Sequence, residues 1–382
     1  MPLPVFALML VVFGLTTGEF VPAGILPDVA EGLGVPLSSA GLLTSAYAAG
    51  MIVGGPVVTV LTARLPRKPL VAGLVAVSVL GNVASALAPG YVVLLATRFA
   101  AGLVVATFFA VAIAISVSMA PEGKQGATVA QVALGMNLGI ILGTPIGTFA
   151  GHHLGWRATF AVVAAVTVAA LALVLRFVPA RPAAATDPVL AELRVFAGRD
   201  VRLAILLTAV GNLGVVTVFT YLTPLLTDVG GFSADAIPVL LLVYGAGAVL
   251  GNFLGGRLAD RAPLSSLVWL LAALAVVLVA FRLLGGTPAP AAILTFALGA
   301  LAFALIPGMQ TRVLSTAAAA PTLAVAVNAS GFQLAAAFAG WLGGALLTGP
   351  GPRALPVAGA VLTLAGLGLA VSIARAERRI RA

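Results

Sequence analysis

No cysteine occurs among the 382 residues. Disulfides, thiol nucleophiles and thiolate-bound metals are therefore excluded. Imidazole is nearly as scarce. His152 and His153 are the two histidines, and two adjacent side chains do not make a metal site alone, so neither metal nor cofactor is expected. Charge is the third scarcity: 8% of residues are Asp, Glu, Lys or Arg, against roughly 25% in an average soluble domain. A water-soluble fold of this length cannot cover its surface with so few charges. There is no phosphate-cradling GxxxxGK[ST] loop, no soluble stretch long enough to bind ATP, and no base near the serines. The chain is expected to be neither an ATP-driven pump nor an enzyme.

What is abundant is apolar surface, at 61% of residues. Lipid is the solvent that such a surface fits, and a crossing needs about 20 apolar residues at about 1.5 Å rise each. Proline, glycine and charge clusters cut the chain into apolar segments at 4–27, 39–63, 69–88, 91–119, 126–151, 157–178, 203–227, 235–259, 264–284, 289–310, 322–348 and 354–374. The first run is too long for a signal peptide and lacks a basic flank, so it counts as span one. The expected fold is all-α and polytopic, with twelve transmembrane helices in two pseudo-symmetric six-helix halves. Residues 1–178 form the first half, 179–202 a cytoplasmic linker and 203–382 the second half.

The halves repeat at an offset of 197. Tyr47-Ala-Ala-Gly50-x3-Gly54 matches Tyr244-Gly-Ala-Gly247-x3-Gly251, and Leu61, Arg64 and Pro66 meet Leu258, Arg261 and Pro263. Parallel six-span repeats are a transporter architecture. The net charge of +9 is distributed as loop clusters rather than as a nucleic-acid-binding face. With a cytoplasmic amino terminus, Arg64, Arg67, Lys68, Lys124, Arg176, Arg181, Arg194, Arg199, Arg202, Arg257, Arg261, Arg312, Arg375, Arg378, Arg379 and Arg381 fall inside; Arg157, Arg282 and Arg353 fall outside. Basic residues favour the inner face, so both termini are expected in the cytoplasm of a monomer embedded in the inner (plasma) membrane.

Two charges lie well inside apolar segments, Glu19 in span one and Arg98 in span four. A charge in hydrocarbon costs about 2.5–3.5 kcal/mol even on lenient scales, so such residues face a cavity or a partner. Counted from span ends near Pro27 and Tyr91, both sit roughly 11 Å below the same face. Burial favours the protonated carboxyl and a guanidinium opposes it, while arginine stays charged. Two readings follow: a fixed ion pair joining spans one and four, or a carboxyl that exchanges a proton between the two sides.

Span five carries Gly135, Gly139, Gly143, Gly147 and Gly151. A glycine at every fourth position marks a helix face that another backbone can approach closely, and Pro145 interrupts its hydrogen-bond ladder. The stripe serves packing, alone or together with motion. The loops after spans two and eight, with Arg64, Arg67 and Lys68 in one and Gly256, Arg257, Asp260 and Arg261 in the other, are solvated anchors or a latch made and broken as the halves rock. Tyr47, Asn137, Asn212, Tyr221, Tyr244, Asn328 and Gln333 line a substrate cavity or bond between helices. Gly151-His152-His153-Leu-Gly155-Trp156-Arg157 is expected as a tight turn with Trp156 anchored at the interface, its histidines unused in transport.

Four passages resemble the major facilitator superfamily, in particular its twelve-span drug:proton antiporters of the bacterial arabinose-efflux and chloramphenicol-efflux type. They are Gly18-Glu19-Phe20 with Leu26-Pro27, Arg98-x3-Gly102-x3-Ala106, Gly143-Thr-Pro145-Ile-Gly147 followed by Gly155-Trp156-Arg157, and Gly255-Gly256-Arg257-Leu-Ala-Asp260-Arg261. The third is the most specific, since importers of the superfamily generally lack it. The resemblance implies alternating access with proton antiport, coupling roles for Glu19 and Arg98, and a helix-packing role for Gly139, Gly143, Pro145 and Gly147. One departure stands out: Ala63 and Pro66 replace the family's Asp and Gly after span two, which leaves the first-half latch without its acid. The expected partners are protons, lipid and a small exported molecule. A cavity walled by Phe13, Phe20, Phe108, Phe109, Phe219 and Tyr221 favours drugs; convergent Asn and Gln side chains favour sugars or nucleosides.

Overall fold

A backbone in hydrocarbon must satisfy its own hydrogen bonds, and an apolar chain without sheet partners does so as helix. The computed structural model describes residues 1–62, 64–122, 124–180, 198–317 and 321–381, and among them there is no strand. Twelve of their helices are long and apolar enough to cross a membrane. Spans one to six are Leu3–Phe20, Leu37–Thr62, Arg67–Ala86, Tyr91–Met119, Gln125–Leu154 and Trp156–Phe177. Spans seven to twelve are Arg199–Thr220, Ala234–Arg261, Leu264–Leu284, Pro288–Thr316, Asn328–Thr348 and Pro352–Ala376. The chain divides into two compact units, Met1–Thr186 and Asp187–Ala382. Most of the expected linker, with Arg181 and Arg194, lies outside the described residues, as do Ala63 and the side chains of Arg378, Arg379 and Arg381.

Each unit repeats one packing scheme. In the first, span two crosses span four, span three packs on spans four and six, and span one lies against spans five and six. Adding six to every number gives the second: eight with ten, nine with ten and twelve, seven with eleven and twelve. Glycine makes the two-on-four and eight-on-ten crossings possible. A Cβ on Gly54 would sit 1.9 Å from the Leu103 carbonyl oxygen, and one on Gly251 would sit 1.8 Å from that of Ala300. No side chain fits there, so the backbones touch.

Spans one, four and five are among those that depart from the sequence expectation. Span one does not end near Pro27. Its helix breaks at Val21 and resumes as Pro22–Leu33, closed by left-handed Gly34, so Pro27 sits inside a helical arm and does not mark the depth of Glu19. The break has a local cause, because Pro22 opens a new helix at a position where its missing N–H is no loss. Span four is broken at Val104 into Tyr91–Leu103 and Val105–Met119. In span five the turn before Pro145 widens to a π-helical stretch, Gly139–Gly143, which accommodates the proline's missing donor.

Candidate functional site

The first unit is organised around a buried cation. Arg98, on Tyr91–Leu103, is 0% exposed. Its guanidinium lies over the Tyr47 ring of span two at 4.3 Å and near the Phe160 ring of span six at 5.4 Å. Such faces stabilise a cation by about 0.5–2 kcal/mol each. Its Nη2 donates to the carbonyl oxygen of Gly18 in span one at 2.6 Å. That carbonyl is available for a reason legible in the chain. In a continuous helix it would accept from the N–H four residues on, but residue 22 is proline and has none. Pro22 thus frees the acceptor that Arg98 takes.

Glu19 follows Gly18 directly, is half-buried, and lies within electrostatic reach of both Arg98 and Tyr47. Nε and Nη1 of Arg98, and Oδ1 of the buried Asn82 on span three, have no hydrogen-bond partner among the described residues. The site therefore holds a positive charge with spare donors within electrostatic reach of a half-buried carboxyl. A proton on that carboxyl changes the local charge by one unit in a low-dielectric setting, where charge matters most.

Span five seats span one through its glycine stripe. Built Cβ atoms would collide with Met9 at Gly135, Phe13 and Thr16 at Gly139, Thr17 at Gly143, Val21 at Gly147 and Ile25 at Gly151. The steps of four on span five meet steps of four on span one, so the two helices run in parallel register past Glu19. The π-helical turn and Pro145 lie within this seam.

The remaining expected residues are distributed as follows. Tyr47 is buried, with its ring under Arg98 and its hydroxyl donating to the Leu15 carbonyl at 3.3 Å. Phe108 is buried against Phe109, and Phe20 and Asn137 are half-buried. In the second unit, Asn212 of span seven and Asn328 of span eleven converge on Thr208. The Thr208 hydroxyl donates to Asn328 Oδ1 at 2.6 Å, and Asn212 Nδ2 donates to the Thr208 carbonyl at 2.7 Å and to Met309 Sδ at 3.0 Å. Tyr221 is buried and bonds the Gly340 carbonyl, and Gln333 is buried. Tyr244 packs between Phe219 at 4.7 Å and Phe303 at 6.4 Å.

The loop residues do not assemble a latch in this conformation. Arg64, Asp260 and Arg261 are exposed, and Asp260 forms no ion pair among the described residues. Arg67 Nη1 reaches the Ala114 carbonyl at 3.4 Å, Lys68 and Gly256 are half-buried, and Arg257 lies over Phe253. Trp156 is buried: Arg157 covers its ring at 4.2 Å while donating to the Ala88 carbonyl. In the sequence Gly18 stands only as part of a motif, and neither it nor Asn82, Phe160 or Thr208 carries an expected role. Pro22 four residues after Gly18 was a usable signal for the first; the others depend on which way their helices face.

Comparison with known proteins agrees over most of the chain. The profile of the Major Facilitator Superfamily matches residues 8–322. The transporter YfhI of Bacillus subtilis (strain 168), described as MFS-type, is 35% identical over 376 residues, 98% of this chain and 95% of that one. A chloramphenicol resistance protein of Streptomyces lividans is 37% identical over 341 residues, 88% of this chain and 87% of that one. Among solved structures, a bacterial homolog of the human lysosomal transporter Spinster superposes with a TM-score of 0.77 at 17% identity, covering 97% of this chain and 96% of the other; that likeness concerns the fold.

Proposed function

This chain belongs to the Major Facilitator Superfamily, a family of membrane transporters acting on small molecules, and we propose that it is a proton-coupled antiporter exporting a small amphipathic compound, with a chloramphenicol-like drug foremost. The observation that carries the reading is the seat of Arg98: a wholly buried guanidinium bonded to the peptide just before Glu19, with the half-buried Glu19 carboxyl in its field. The cation makes the ionised carboxyl tolerable, and the apolar surroundings make the protonated one tolerable. Glu19 takes a proton in one access state and yields it in the other, while Arg98 remains charged. The glycine seam with span five bears on export, because Gly143-Thr-Pro145-Ile-Gly147 lies where span one passes Glu19. The relationship to a chloramphenicol resistance protein favours a drug-like cargo.

A second reading, export of a sugar or nucleoside, is favoured by the convergence of Asn212 and Asn328 on Thr208, since hydroxyl-rich cargo needs paired donors and acceptors. Purified protein in liposomes, with an imposed pH gradient, separates these readings. Acid on the side toward which cargo is expelled should drive chloramphenicol flux, and Glu19→Gln should remove the drive. Full proton-driven flux of every tested compound in Glu19→Gln would refute Glu19 as the coupling group. Gradient-driven flux of sugars but not of chloramphenicol would select the second reading.

A further inference from the structure

The arm Pro22–Leu33 carries an acid–base pair that the Glu19–Arg98 site does not use. His152 Nδ1, near the end of span five, lies 2.9 Å from Asp28 Oδ1. The pair sits in a row of contacts spaced four residues apart on the arm, the first two made with span five and the last with the first residue of span six. Gly24 lies against Thr148, Asp28 meets His152, and Gly32 lies against Trp156. The row runs beside the glycine seam and extends it toward the end of the arm.

The His152 side chain is 6% exposed and that of Asp28 is 27% exposed. A carboxylate only accepts hydrogen bonds, so the Nδ1 that faces it carries hydrogen, and a neutral ring then presents a bare lone pair at Nε2. That Nε2 and Asp28 Oδ2 are buried with no hydrogen-bond partner among the described residues. We propose that His152 Nε2 is a second proton-binding site of the first unit, and that its occupancy sets how firmly the Pro22–Leu33 arm is fastened to span five. The proton is drawn from bulk water. It adds to the Nε2 lone pair, no other bond breaks, and Asp28 stays ionised. The neutral contact becomes an imidazolium–carboxylate pair, which is shorter and stronger. Imidazole is the side chain that makes this change near neutral pH.

The surroundings leave the pair to itself. Glu31 on the arm is exposed, and His153 is exposed and packs at a tilt against Phe149, 4.2 Å between ring centroids. On span six, Arg157 is held by the Ala88 carbonyl and the Trp156 ring. Span two, which also packs on the arm, has no charged residue between Leu37 and Thr62, and its Tyr47 is engaged with Leu15 and Arg98. On span one, Glu19 belongs to the Arg98 site.

His153→Gln leaves His152 as the sole histidine. In nanodiscs, its ¹⁵N-labelled ring is expected to keep Nδ1 protonated throughout and to gain a proton at Nε2 on acidification. Asp28→Asn should make that uptake about tenfold weaker. Because the chain has no cysteine, spin labels on Glu31→Cys and Leu154→Cys report the fastening directly. Their distance distribution should narrow in acid and become pH-independent in His152→Gln. Absence of titration at Nε2, the same titration in Asp28→Asn, or a distance distribution unmoved by pH in the unsubstituted pair would each overturn the proposal. None of these readouts depends on transport.

Discussion

The two six-span units share a scaffold and differ in what they bury at its centre. Tyr47 and Tyr244 are equivalent, as are Gly54 and Gly251, and Gly102 and Gly299. A Cβ on Gly102 or Gly299 would meet the carbonyl of the equivalent tyrosine at 2.2 or 2.1 Å. Around this shared frame, the first unit places Pro22, Glu19 and Arg98 where the second has Phe219, Val216 and Thr295. The whole charged set is replaced together. Over Tyr47 lies a guanidinium; beside Tyr244 lies the Phe219 ring. Thr295 satisfies its hydroxyl within its own helix, on the Ala291 carbonyl at 2.8 Å. The frame of the second unit holds without a charge at its centre. A buried charge is weak evidence for stability, and the second unit makes that general point specific here.

The comparison can be broken most forcefully at the shared frame. Gly54→Leu and Gly251→Leu should each destabilise by about 3 kcal/mol or more, to a similar extent, measured as loss of the folded monodisperse protein in detergent. A large inequality between them would show that the two crossings are not equivalent. Next, Glu19→Gln should lower gradient-driven flux about a hundredfold with little change in melting temperature, whereas Val216→Ala should leave flux within about twofold. Pro22→Ala restores an N–H that competes for the Gly18 carbonyl. It should lower flux about tenfold, the effect of weakening one charge-assisted hydrogen bond by about 1.4 kcal/mol, while Phe219→Ala in the second unit should cost stability instead. The smallest contrast is at the tyrosines. Tyr47→Phe keeps the ring under Arg98 and loses the bond to the Leu15 carbonyl, for about 1 kcal/mol. Tyr244→Phe, whose hydroxyl makes no hydrogen bond among the described residues, should fall below that in the same thermal melts.

Much of this contrast was readable from the chain. Glu19 and Arg98 stand out because charge is rare in apolar runs, and the offset of 197 already sets them against Val216 and Thr295. The glycine stripe of span five predicted a close neighbour but not that span one is that neighbour. In one dimension Pro27 reads as the stop of span one, but Pro22 restarts the helix before it. The histidines read in the sequence as part of a turn. A lone ring on an apolar helix has no visible partner in one dimension, and Asp28 lies 124 residues from His152.

By itself, the order of residues determined the solvent, the number of crossings, the internal repeat and the two buried charges. Those properties are summed along the chain, where hydropathy and spacing act locally. Tertiary structure alone decided that the Gly18 carbonyl turns to Arg98, that Asn212 and Asn328 share Thr208, and that Asp28 meets His152. Each of those contacts depends on the rotation of a helix about its own axis. In spans that are apolar on nearly every side, only packing against a neighbour fixes that angle.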